Sequence, residues 1–356
     1  MAEEAAVLWR RELDWFEELP HNSRNEVTGG VWDVGAGDRR AVVKVMRPGA
    51  PVSEWGWPAG LDEGDWCYWR REAAWYESGL ARRWLAPAGL DVPELLATFE
   101  RSDGSVALWL DHVEGRPGNE WTTGEIADLA ARWARVQGAV GGPNPRWLAR
   151  DWPAQYLAHR PDELTAFDDE ASWENTPLGR HLERQRAPLR RMWNERELFV
   201  EVLRRLPQVL SHHDLWPMNA IRRSSSASTD TTPVLLDWAF VGIGPVGHDA
   251  ANLVLDTFLD LLVDESRVVE VSDAVTEAYL DAFGGHVDER LVKLGIWASA
   301  VKFSWLPLRM ASGAVQGDAP HADEDELARR RAPVFDLMWE WSEKTRYEAG
   351  RLGWWT

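Results

Sequence analysis

An α+β protein of two lobes is the fold this sequence predicts, on three observations. Runs of β-favouring residues crowd the stretch from Asn25 to Gly115, helical spacing dominates from Thr122 onward, and strand signals return only between Gln208 and Phe240. Strands grouped first and helices later make a mostly antiparallel sheet with one inserted helix, followed by a mainly helical body. At 356 residues each lobe can bury its own apolar interior. The expected division is 1–112 for the first lobe and 113–356 for the second, joined at about 110–115.

The elements follow in chain order. "MAEEAAVLWRRELDWFEELP" is charged and amphipathic and predicts an amino-terminal helix. "NEVTGGVWDVGAGDRRAVVKVM" predicts three strands joined by two tight turns, one at Gly29-Gly30 and one at "GAGD". The Pro- and Gly-rich "RPGAPVSEWGWPAGLDEGD" is an irregular excursion. "DWCYWRREAAWYESGLARRWL" has helical spacing and stops before Pro87, and "VPELLATFERSDGSVALWLDHVEG" is a hairpin around Ser102-Asp103-Gly104. Thr122 and Glu125 have capping-box spacing at the head of a long helix. A second helical region spans about Pro177 to Arg205 and is stopped by Pro207. "QVLSHHD", "NAIRR" and "PVLLDWAF" are short strands, with the polar loop "SSSASTDTT" between the last two, and helices resume after Asp249.

Composition excludes several classes of function. A formal net charge of -19 opposes nucleic acid or an anionic membrane as the main partner and favours a cationic ligand. Cys67 is the only cysteine, so neither an intrachain disulfide nor a Cys-rich zinc site can form. No secretory signal opens the chain, and its longest apolar stretches are broken by acids, so a cytoplasmic location is expected. The 24 tryptophans follow no fixed period, and packing of helix faces accounts for them more simply than an aromatic ligand cage.

The chemistry concentrates in "LSHHDLWPMNAIRR". Pro217 opposes a helix there, so His212, Asp214 and Asn219 fall on a loop leaving a strand. The next strand pair delivers Asp237, which can face the same point as Asn219. Two hard oxygen ligands suit Mg²⁺, whose other positions are filled by water and phosphate oxygens. Asp214, free of the metal, is placed to orient and deprotonate a hydroxyl.

"HHDLWPMN" fits H-x-D-x-x-x-x-N, and "LLDWAFVGIGPVGHDAANL" resembles the metal-binding segment of aminoglycoside phosphotransferases and related protein-kinase-like small-molecule kinases. The resemblance implies that Lys44 in "AVVKV" holds nucleotide phosphates, that Glu72 in "RREAAWYESGL" is its helix partner, and that Asp111, His112 and Val113 contact adenine through their backbone. Gly29 and Gly30 stand at the phosphate turn, although "TGGVWD" is not G-x-G-x-x-G. Glu77 is about 500° of helical turn from Glu72 and cannot serve the same lysine. By the same resemblance His212 links the loop to the metal strand, and Asp249 braces the loop by hydrogen bonding.

The implied reaction is transfer of the γ-phosphoryl of ATP or GTP, with Mg²⁺, to a hydroxyl of a small molecule such as an aminoglycoside or another natural product. A kinase acting on Ser or Thr of a peptide in natural-product biosynthesis is one alternative. A nucleotide-binding pseudokinase scaffold is another, against which the full set of polar groups counts. A metal hydrolase built from the histidines lacks H-E-x-x-H. His213 and His248 receive no role, "DAPHADEDEL" reads as a solvated loop and helix start, and Trp216 and Met218 lie in sequence beside the expected acceptor site.

Overall fold

The computed structural model describes residues 1–22, 25–49, 57–140, 144–159, 173–174, 176–223, 232–285, 287–307 and 323–355. Trp55, the serine run 224–228 and residues 318–322 of the acidic run lie outside them. The architecture is α+β, and the chain packs into two compact units. The first comprises Met1–Glu120, Ala139–Arg150 and Met218–Ile243; the second comprises Trp121–Gly138, Asp151–Pro217 and Gly244–Thr356.

The first unit is built on a five-stranded antiparallel sheet in the order β1-β2-β3-β5-β4. Its strands are β1 (Trp15–Glu18), β2 (Thr28–Ala36), β3 (Arg39–Met46), β4 (Leu95–Glu100) and β5 (Val106–Asp111). Helix α1 (Ala2–Trp9) ends at Arg10, which is left-handed, so the amino-terminal helix is shorter than its periodicity predicts. Trp15–Glu18 instead pairs with Trp32–Gly35 of β2, where backbone hydrogen bonds override helical propensity. Gly29 and Gly30 make no turn between strands. They sit in β2 at a register shift against β3, with Gly30 at φ 145° and its α-carbon so close to the Trp32 ring that a Cβ would collide with it.

The expected inserted helix is two short ones, α2 (Arg71–Glu77) and α3 (Leu80–Leu85), separated by left-handed Gly79. Alternation along β3 places Ala41, Val43 and Val45 in an apolar core with Ala5, Val34, Ala107 and Trp109. Across the sheet, the Trp75 indole stacks on Trp238 at 4.5 Å and meets Trp84 and Trp147 edge-on or tilted. A second sheet joins β6 (Gly115–Pro117), β7 (Ala220–Arg223) and β8 (Pro233–Leu235) in the order β8-β7-β6.

The second unit is helical. It contains α4 (Thr123–Ala139), α5 (Trp152–Ala158), α6 (Pro177–His181), α7 (Glu183–Asn194), α8 (Arg196–Arg205), α9 (His248–Leu259), α10 (Val268–Phe283), α11 (Glu289–Ala298) and α12 (Glu324–Arg351). The capping box forms as its spacing predicts: Glu125 N–H donates to Thr122 Oγ1 and Thr122 N–H to Glu125 Oε2. The helical region from Pro177 to Arg205 is three helices. Trp133, Trp152 and Trp173 are fully buried here, as are Trp75, Trp109 and Trp238 in the first unit, so these indoles serve packing.

Candidate active site

In the first unit the pleat of β3 decides what faces the ligand. With Val43 and Val45 in the core, Val42 and Lys44 point to the opposite face and line a cavity of about 520 Å³. Val31 and Asp33 of β2, Leu110 of β5, Ile221 and Leu236 complete its walls. Thr28 and Val31 line it on either side of Gly29 and Gly30. Asp111, His112 and Val113, where β5 ends, lie on one wall, and Asp111 N–H donates to Glu94 O at 2.8 Å. Burial holds the His112 imidazole below its usual range.

Lys44 Nζ stands 2.6 Å from Glu72 Oε2 and 2.8 Å from Asp237 Oδ1. Burial alone would push the ammonium toward neutrality, but the two carboxylates outweigh it and hold it charged, above its ordinary value. Glu72 Oε1 also accepts from Trp238 N–H at 3.2 Å, so one carboxylate ties the strand lysine to the residue after Asp237. Glu77 points elsewhere and pairs with Arg70.

Arg71, beside Glu72, is fully buried and was missed by the sequence reading. Its guanidinium donates to five backbone carbonyls, those of Glu63, Asp65, Trp66, Trp147 and Ala239. Burial lowers its pKa to about 10.

Asn219 ends a single 3₁₀ turn, Pro217–Asn219, and its carbonyl accepts from Leu236 N–H at 2.9 Å. With Leu235 opposite Ala220 in the β7–β8 register, Asn219 and Asp237 come together on the cavity wall. Asp237 adopts φ 53°, a left-handed conformation that Asp tolerates better than most residues and that is met where side-chain aim matters.

In the second unit the loop carrying Asp214 is held by Asp249, at the start of α9. This fully buried carboxylate accepts from Trp133 Nε1 (2.7 Å), Ser211 Oγ (2.9 Å), Gln137 Nε2 (3.3 Å), His212 N (3.0 Å) and His213 N (2.9 Å). Burial raises its pKa in spite of these donors. The His212 ring meets Trp133 edge-on at 6.3 Å.

His213, to which the sequence assigned no role, is the pivot of the loop. It is left-handed at φ 64°, and its carbonyl accepts from Asn252 Nδ2 at 2.7 Å and Lys302 Nζ at 3.2 Å. Its ring stacks on Trp152 at 5.1 Å and meets His248 at 5.2 Å. Gly244 makes room for it, since a Cβ there would lie 2.5 Å from His213 Cε1. Asn252 lies in the segment "LLDWAFVGIGPVGHDAANL" but is given no role there, and Lys302 lies outside every motif quoted above.

A strand lysine paired with a helix carboxylate and a second acid on a cavity wall, in an α+β chain, defines a phosphotransferase of the kinase-like class. The family model described as "Phosphotransferase enzyme family" matches residues 23–291, and the chain belongs to that family. It is accordingly a phosphotransferase that acts on an alcohol group.

Solved structures of similar fold include a thermostable mutant of aminoglycoside phosphotransferase APH(4)-Ia in ternary complex with AMP-PNP and hygromycin B, at 14% identity, TM-score 0.51, and coverage of 96% of this chain and 98% of that one. Amicoumacin kinase hAmiN, in complex with AMP-PNP, Ca²⁺ and Ami, aligns at 15% identity, TM-score 0.54 and coverage of 94% and 92%. Choline kinase LicA from Streptococcus pneumoniae aligns at 14% identity, TM-score 0.50 and coverage of 94% and 97%. No curated protein matches the chain significantly in sequence.

Proposed function

We propose that the chain transfers the γ-phosphoryl group of ATP or GTP, bound with Mg²⁺, to a hydroxyl of a small natural product, an aminoglycoside or another antibiotic. The observation that carries this reading is Lys44, charged and shared between Glu72 and Asp237 on the wall of a cavity of about 520 Å³.

Lys44 holds the α- and β-phosphates, Glu72 fixes its direction, and the backbone of Asp111, His112 and Val113 receives the base. Gly29 and Gly30 lie between Thr28 and Val31, which line the cavity, and form the part of β2 assigned to the phosphates. Asn219 and Asp237 fit a magnesium ion: they offer one amide oxygen and one carboxylate, with the Asp237 side chain 39% exposed. Among the described residues no group of three or more His, Cys, Asp or Glu forms an all-protein metal cage, so this ion takes its remaining ligands from phosphate and water. The metal, when bound, offsets charge on the transferring group.

Asp214 accepts the proton as the acceptor oxygen bonds to Pγ and the bond from Pγ to the bridging oxygen breaks, the electron pair leaving with the nucleoside diphosphate. His212 and Asp249 hold the loop that presents it. Met218, 44% exposed, and Trp216 shape the acceptor side. The net charge of -19 suits a cationic acceptor in the cytoplasm.

The test is thermal: Mg²⁺ with ATP or GTP should raise the melting temperature by several degrees when the nucleotide is well above its Kd. A phosphate-transfer assay on a panel of hydroxylated antibiotics then finds the acceptor. If neither nucleotide with Mg²⁺ shifts the melting temperature, the reading fails.

A further inference from the structure

Lysine is rare in this chain: residues 44, 293, 302 and 344 are the only four among 39 basic residues. Lys293 and Lys344 have side chains 37% and 43% exposed, and each pairs with a glutamate one helical turn away. The two buried lysines differ. Lys44 is the proposed phosphate ligand, and Lys302 is 5% exposed. Lys302 also lies beyond residue 291, where the family match ends, so membership of the family assigns it nothing.

Lys302 belongs to the 3₁₀ segment Ser299–Phe303 that follows α11. Its ammonium lies 5.3 Å from the Trp152 ring centroid and 4.8 Å from that of Phe303, so two aromatic faces fix the stem and partly offset the loss of water. It donates to the carbonyl of His213, the residue before Asp214. Two carboxylates face it, Asp214 Oδ1 at 3.9 Å and Asp256 Oδ2 at 3.7 Å. A desolvated ammonium is costly unless it is compensated, and here the compensation converges on the loop of the proposed base.

We propose that Lys302 is a positioning residue for phosphoryl transfer: it fixes the His213–Asp214 backbone and holds the Asp214 carboxylate in one orientation, with the Asp256 carboxyl group on its other side. This rests on the reading of Asp214 as base. The charges around the group support the division of labour. Burial and the neighbouring Asp214 and Asp260 raise the Asp256 pKa to about 8 against the pull of Lys302, so near neutrality Asp256 is largely protonated and Lys302 is balanced mainly by Asp214. His248, which feels the charge of Lys302 and whose ring meets that of His213, is held neutral by burial and by Lys302 itself. Above the titration of Asp256 a second carboxylate competes for the ammonium, and its hold on Asp214 weakens.

The experiment follows Mg²⁺-ATP turnover as ADP release, with water as acceptor, against pH. Lys302→Met should lower kcat by about a hundredfold while KM for ATP stays unchanged. Its acid limb should move up, as it does for a carboxylate that loses a neighbouring opposite charge. Lys302→Arg, which keeps the charge, should leave that limb in place. Asp256→Asn should remove any decline near pH 8.

Four lysines also permit a readout independent of turnover. In lysine-¹⁵N-labelled protein the Lys302 ammonium signal, assigned by its loss in Lys302→Arg, should shift in Asp214→Asn as well as in Asp256→Asn. A folded Lys302→Met with unchanged kcat and acid limb overturns the proposal, as does a Lys302 signal that ignores Asp214→Asn. Turnover persisting in Asp214→Asn defeats the reading of the base itself, whereas an inert Asp214→Asn beside an unaltered Lys302→Met removes only the proposal for Lys302.

Discussion

At the scale of single residues, Asp214 is more open than the two histidines that precede it. Its side chain is 31% exposed, whereas His212 and His213 are fully buried and pinned through their backbone N–H groups to Asp249. The support lies in the neighbours, and in the proposed reaction the chemistry is left to Asp214. Asp214→Asn should therefore leave the nucleotide-induced shift intact and lower kcat by about 10²- to 10⁴-fold, the usual contribution of a positioned general base, while the melting temperature falls modestly because Lys302 loses its main counter-charge. Steady-state kinetics beside thermal melts check this, and an equal loss of nucleotide binding would contradict it. That Asn219 and Asp237 share a cavity wall could be read from the sequence because a strand, a loop and a returning strand separate them. His213 could not, because its part depends on a left-handed backbone and on Asn252 and Lys302, 39 and 89 residues away. Long-range hydrogen bonds to a backbone carbonyl leave no periodic trace in sequence.

At the scale of elements, alternation in "AVVKVM" reveals the face of β3, and the Thr122–Glu125 box reveals a helix start, since both are short-range rules that the structure obeys. The glycine pair at 29 and 30 misleads, because a bulge and a turn ask for the same residue. Helix α2 misleads in another way. Seven residues is too short for a helix to hold itself, and its periodicity suggests a longer one. Arg71 explains how it persists: one guanidinium gathers carbonyls from 63–66, Trp147 and Ala239 around the turn that carries Glu72. Arg71→Met strips five backbone carbonyls, two of them fully buried, of a donor and should cost about 2–4 kcal/mol of stability. Through Glu72 it should also weaken nucleotide binding. Urea denaturation and a nucleotide titration measure the two effects, and a Met variant as stable as the parent would show that α2 is held by its apolar contacts alone.

At the scale of the whole molecule, 58 acidic residues against 39 basic ones set the field in which any ligand arrives. Two effects of salt oppose each other. Many carboxylates sit in exposed ion pairs such as Arg180–Asp325 and Arg205–Glu201, which salt weakens, but each such pair is worth about 0–1 kcal/mol. The net charge of -19 repels itself over the whole surface, and salt relieves that collectively. Between about 0.01 M and 0.1 M salt the screening length falls from roughly 30 Å to roughly 10 Å. Relief of repulsion should win, so the melting temperature should rise over this range in a non-binding salt such as NaCl. Over the same range a cationic acceptor should bind more weakly, because the attraction that favours it is the same long-range field. A neutral acceptor would show no such loss, so the salt dependence of acceptor KM sorts substrate classes by charge. That class is what neither motif spacing nor the fold supplies, since both describe the donor side and the transfer.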